Sequence, residues 1–188
     1  MLIAGKENGH DALANDQQLP VVIFKMCTMI FEILSLLCIE SSNGHEVILQ
    51  VLSEIKGEKY RFERLLQSLH EIKNYSSNKK KASENRISKL SSIIEEQHDL
   101  ILFDCVAAAL ELFNSIIQTP DSVEKRVSLR TEFERRGMDA CLEDLLEQKD
   151  VLPERLQKQL DIYFRQRKLD KDQIHQMENV KRQSILNL

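Results

Sequence analysis

The chain has 188 residues, of which 42% are hydrophobic but only 5% aromatic and 30% charged, with three prolines and no tryptophan. This is the balance of a helix-rich protein with little strand, and the length suits one domain with tails, or one short stack of repeats. Twenty-six basic residues against thirty acidic give a net charge of −4, which excludes a general attraction to nucleic acid or anionic lipid and leaves room only for local basic sites.

Residues 1–19 carry Gly, Asn, Asp and Gln without periodicity and are expected to be a flexible tail. The next stretch, PVVIFKMCTMIFEILSLLCIE (Pro20 to Glu40), is long enough to cross a bilayer. Lys25 and Glu32 stand inside it, each costing roughly 2.5–3.5 kcal/mol near a membrane centre, and the polar residues before it do not fit a signal peptide. A soluble helix is the preferred reading, and a membrane-anchored adaptor using 21–39 as a span is the alternative. Lys25, Thr28, Glu32 and Ser35 follow one another at steps of three, four and three, so they share one stripe of an otherwise apolar helix. The pattern predicts a helix packed on most sides and wet along one line.

KNYSSNKKKASENRISKLSS (Lys73 to Ser92) shifts to Ser, Asn and Lys and predicts an exposed loop over about 74–90. Its run Lys79-Lys80-Lys81 reads as a solvated loop before it reads as a phosphate site. A second apolar helix follows in LILFDCVAAALELFNSIIQ (Leu100 to Gln118), with Asp104, Ala107 or Ala108, Glu111, Asn114 and Gln118 on the same kind of stripe. Glu32-Ile-Leu-Ser aligns with Glu111-Leu-Phe-Asn, an offset of 111 − 32 = 79 residues. That is close to two units of the roughly 40–47 residues of armadillo-type repeats. An all-α, armadillo-like α-solenoid over residues 20–150 accounts for both stripes, because each inner helix is buried by its neighbours yet shows one edge to a concave groove.

Farther on, RTEFERRGMDACLEDLL (Arg130 to Leu146) has Gly137 between two helical patterns. A glycine inside a helix costs about 1 kcal/mol relative to alanine, so it marks a corner. Beyond Pro153, Leu156, Leu160, Tyr163 or Phe164, Ile174 and Met177 recur at loose helical spacing among mixed charges. Residues 151–188 are expected to form a charged surface helix or an exit helix.

Nothing in the chain carries recognisable chemistry. Cys27, Cys38, Cys105 and Cys141 lie far apart in apolar patterns without CxxC spacing and read as reduced core thiols. His10, His45, His70, His98 and His175 are scattered, and GxSxG, P-loop, HExxH and GxGxxG motifs are absent. No metal, cofactor or enzymatic activity is expected.

Four stretches occur here in a familiar order: GHEVILQVLSEIKGEKYRFERLLQSL (Gly44 to Leu69), ALELFNSII, RVSLRTEFERRGMDACLEDL (Arg126 to Leu145) and IYFRQRKLDKDQI (Ile162 to Ile174). Together, over about residues 21 to 175, they resemble the armadillo-repeat regulatory region of formins, the diaphanous inhibitory domain. The most specific parts are R-x-E-F-x-x-x-G-hydrophobic, read through Gly137, and E-K-x-R-F, ending at Phe62. The resemblance gives Gly137 the role of a left-handed C′ residue that turns one helix into the next. It covers neither the family's upstream GTPase-binding segment and first repeats nor a proline-rich or actin-nucleating region, so the chain looks like part of a formin regulatory domain or a short paralogue. The Lys/Ser loop is longer than is usual for the family, and Leu36 is larger than the small residue often found there.

The implied function is binding. In formins the concave face holds an amphipathic autoregulatory helix from the C-terminus, which shuts off actin assembly until a Rho-type GTPase displaces it; the setting is cytoplasmic and cytoskeleton-associated. The groove positions implied here are Glu32, Ser35, Leu36 and Ile39 on the first inner helix, and Ala108, Glu111, Asn114 and Gln118 on the second. Leu36 and Ile39 would accept apolar anchors, and Glu32 and Glu111 basic or polar residues. The alternative binding role is a general armadillo-like scaffold for an unrelated peptide.

Overall fold

The computed structural model describes residues 10–55, 57, 59, 62, 63, 65–67, 69, 70, 89–147 and 149–186, with the side chains of those from residue 21 onward except 89–96, 98 and 186. The described residues contain helices and no strand. They are α1 (His10–Glu40), α2 (Gly44–Ser53), α3 (Lys89–Gln118), α4 (Val123–Glu134), α5 (Met138–Leu146), a 3-10 turn (Lys149–Val151) and α6 (Glu154–Leu186). The described residues between 63 and 70 are also helical. The expected tail therefore turns helical at His10, because Ala12, Leu13, Ala14, Gln17 and Gln18 are good helix formers that need no amphipathic period to propagate a helix. The Lys79-Lys80-Lys81 run lies outside the described residues.

α3 is the axis of the stack, with α1 on one side of it and α6 on another. Residues 105–110 and 112–117 are all buried, as a helix apolar around most of its circumference must be. Pro120 disfavours helical conformation at the residue before it and so ends α3. Ser122 then caps α4, its hydroxyl accepting from the Lys125 amide at 3.4 Å. His45 ties α2 to the end of α3 by donating from Nε2 to the Ile116 carbonyl at 2.8 Å.

Phe113 and Phe133 stack edge to face at 5.0 Å, and Phe62 and Phe133 at 4.9 Å. Phe62, the last residue of E-K-x-R-F, adopts φ 68°. A non-glycine residue there costs on the order of 1–3 kcal/mol, which the full burial of its ring offsets. The corner at Gly137 is present, with φ +85°. It lies one residue later than the C′ position: Arg135 is the C-cap of α4, and Gly137 serves as N-cap of α5.

Two readings of helix exposure change. On α1 the stripe expected to be wet is partly the packed edge: Thr28 and Ser35 are buried, while Val22, Met26, Met29, Ile33 and Leu36 are exposed. Thr28 returns its hydroxyl to the Phe24 carbonyl of its own helix at 2.9 Å, which removes most of the cost of burying it. It also lies within hydrogen-bonding reach of Cys105, so this edge is where α1 meets α3. Small side chains on both helices allow that approach. Second, the first half of α6 belongs to the core rather than leaving it, since Leu156, Leu160 and Tyr163 are fully buried. Only beyond Asp170 does α6 become predominantly exposed.

Candidate functional site: a polar cleft between three helices

An open cleft of about 500 Å³ lies where the C-terminal end of α1 approaches α3 and α6. Its wall comprises Ile39 of α1, Glu111, Asn114, Ser115 and Gln118 of α3, Thr119, and Gln159 and Ile162 of α6. Ile39, Glu111, Asn114 and Gln118 were selected by the stripes and the resemblance, and all four line it. Ser35 and Ala108, also selected, are buried at 2% and 0% exposure, so nothing docks on them without prising helices apart. Leu36 is exposed but is not part of the cleft wall. Glu32 lies beside the cleft in an ion pair.

That ion pair belongs to a four-charge cluster. Arg155, in the first turn of α6, reaches Asp104 at 2.6 Å, Glu32 at 2.7 Å and Glu111 at 3.0 Å. One guanidinium thus binds α1, α3 and α6 together. Burial alone would lower the Arg155 pKa, but the hydrogen bonds it donates to Glu111, Asp104 and Glu32 outweigh it and hold the group above its ordinary value. Three carboxylates against one guanidinium leave this cluster, which adjoins the cleft through Glu111, with a net negative charge. Deeper in, Asn114 donates to the Gln159 carbonyl at 3.0 Å and to its Oε1 at 2.9 Å, while its own Oδ1 is buried without a hydrogen-bond partner. Such a site can take hydrogen-bond donors and cations. Among the described residues no group of His, Cys, Asp and Glu is placed to hold a metal ion.

Sequence reasoning missed Arg155, Gln159 and Ile162. The signal was present, since steps of four and three put them on one face of α6. Assigning α6 to an exit role hid it.

A second polar cluster explains why the most specific sequence motifs matter. Arg130 of R-x-E-F is 4% exposed, pairs with Asp170 at 2.7 Å and lies 5.2 Å from the centre of the Tyr163 ring. Arg126 holds the other Asp170 oxygen at 3.0 Å. Tyr163 donates to Asp139 at 2.7 Å, and Arg167 contacts Asp139 at 2.6 Å and Glu134 at 3.1 Å. Burial, then the Asp139 hydrogen bond, raise the Tyr163 pKa. The motif residues of α4, α5 and α6 are therefore one another's partners, and their role is to dock α6 so that Arg155, Gln159 and Ile162 reach the cleft.

Stacked helices around a buried central helix, with a polar cleft along one edge, define an armadillo-like helical module. The family model described as Diaphanous FH3 Domain matches residues 45–187, and the chain belongs to that family, a regulatory module of formins. Formin-F of Dictyostelium discoideum is 26% identical over 153 residues, covering 77% of this chain and 10% of that protein. Formin-like protein 2 and Formin-like protein 1 of Homo sapiens are each 26% identical, over 139 and 140 residues, covering 72% of this chain. The chain spans about a tenth (10%) of the length of these relatives. No solved structure matches it.

Proposed function

We propose that this chain is a formin-type regulatory module whose cleft receives an amphipathic autoregulatory helix from a formin C-terminus, and that Rho-type GTPase signalling relieves that contact to release actin filament nucleation. The observation that carries this reading is the cleft itself. Ile39 and Ile162 offer apolar seats beside a hydrogen-bonding floor, and the excess carboxylates of the adjoining Arg155 cluster, reached through Glu111, favour a basic ligand, the combination that a helix-in-groove partner uses. A cytoplasmic, cytoskeleton-associated setting follows from the same reading. The span reading of 21–39 is less well supported, because insertion would break the Glu32–Arg155 pair and strip the buried edge of α1 from α3.

Fluorescence anisotropy with a labelled formin autoregulatory peptide, at two salt concentrations, tests it. Ile162→Asp should weaken binding more than about a hundredfold with the helical circular dichroism intact, since an unpaired carboxylate then faces an apolar anchor. Glu111→Lys should weaken it less, and the effect should shrink as salt rises. A wild-type chain that ignores the peptide, or Ile162→Asp binding as wild type does, defeats the proposal.

A further inference from the structure

The cleft leaves unexplained the exposed apolar outer face of α1, the described helix that carries the most exposed large hydrophobic side chains. Val22, Met26, Met29, Ile33 and Leu36 follow at steps of four, three, four and three, and Glu40 continues the series by four. That is the spacing of a coiled-coil seam. Ile23, Ile30 and Leu37 flank it at intervals of seven. These eight apolar side chains are 46–61% exposed. A contiguous patch of this kind marks an interaction surface.

We propose that this face pairs with the same face of a second copy of the chain, the two α1 helices running antiparallel about a two-fold axis. The central seam matches itself in either direction, but the flanking row of Ile23, Ile30 and Leu37 meets its own counterpart only in the antiparallel one. Setting Met29 opposite Ile33 of the second copy places Met26 opposite its Leu36, Ile23 near its Leu37 and Ile30 against its own counterpart at the axis. Every exposed apolar residue of the seam thereby gains an apolar neighbour, except Val22, which faces Glu40. The charges agree. Between Val21 and Glu40 the only ionic residues are Lys25, Glu32 and Glu40, and Glu32 is held by Arg155. Lys25 and Glu40 are both exposed, and the antiparallel register brings each Lys25 within about one helical turn of the other copy's Glu40, twice per pair. A parallel register would set Lys25 against Lys25 and Glu40 against Glu40. The apolar seam supplies affinity and the end charges select orientation. This pairing neither uses nor requires a ligand in the cleft, so it stands or falls separately from the function proposed above.

Sedimentation equilibrium of the intact chain over a concentration series tests the pairing. A monomer–dimer equilibrium is expected, and Ile30→Lys, which sets two like charges at the axis, should abolish it while leaving circular dichroism unchanged. Lys25→Glu should weaken association about tenfold at low salt, and adding Glu40→Lys to it should restore the dimer. Under oxidation Ile30→Cys should form a symmetric cross-linked dimer, whereas Val22→Cys should not. A chain that stays monomeric at every concentration overturns the proposal. So does equally ready cross-linking of Val22→Cys, which would mean parallel helices, or self-association seen only with phosphatidylcholine/phosphatidylserine vesicles, which would mean a lipid surface.

Discussion

Replacing Asp170 by Asn should unfold this chain more effectively than any change at the cleft. Asp170 is 2% exposed and, among the described residues, is the only carboxylate paired with Arg130, itself 4% exposed; it also holds Arg126. The substitution keeps shape and volume but removes the charge, which leaves the Arg130 guanidinium buried beside the Tyr163 ring with no anion. Breaking one partner of a buried pair typically costs about 3–5 kcal/mol, because desolvation of the surviving ion is no longer offset. For a chain of this size each 1 kcal/mol lowers the melting temperature by roughly 2–4 °C, so a fall on the order of 10 °C is expected. Differential scanning calorimetry measures it directly. The double variant Arg130→Met/Asp170→Leu should recover most of the loss, since an apolar pair of similar volume buries no charge. If Asp170→Asn melts within a degree of the wild type, the α4–α6 cluster does not carry the docking of α6 and the reasoning is refuted. If the double variant is as unstable as the single one, the pair matters through geometry and not through charge compensation.

Two glycines should behave differently. At Gly44 an added Cβ would lie 1.8 Å from the Leu37 carbonyl oxygen, so Gly44→Ala must push α2 off α1, at a cost on the order of 1–3 kcal/mol or more in urea unfolding. At Gly137 the nearest foreign atom is 3.7 Å away, so Gly137→Ala should cost only the strain of φ +85°, about 1–2 kcal/mol. An unchanged midpoint for either variant counts against the corner it serves. The thiols give a pH prediction. Burial pushes Cys38 up to about 11 and Cys105 up to about 12, against 9.0 for a free thiol, so both should resist a thiol reagent at pH 8 until the chain unfolds. Above pH 9 the unfolded chain releases these protons while the folded chain keeps them, so stability should fall as pH rises, with little contribution from these groups below pH 8. Rapid modification of all four cysteines in the native state would contradict this.

The sequence by itself determined the all-helical class, the buried central helix and the Gly137 corner, because each follows from local physics: composition, period and a backbone conformation that only glycine adopts cheaply. Spacing also put Glu111, Asn114 and Gln118 on one face, since residues three and four apart necessarily share one, whereas Ile39 came from the resemblance; all four line the cleft. What periodicity cannot give is the direction in which a stripe points. Thr28 and Ser35 are polar yet face α3, and Leu36 is apolar yet faces out, because α1 packs along one side only and its small polar residues are the ones that fit there. Local hydroxyl-to-backbone bonding makes such burial cheap at Thr28, and no hydropathy pattern registers it. The cleft is likewise a tertiary fact. Arg155 meets Glu32 across 123 residues of chain and Glu111 across 44, distances over which spacing carries no information. Only the docking of α6, fixed by the Arg130–Asp170 contact, decides that these three helix stripes converge into a site.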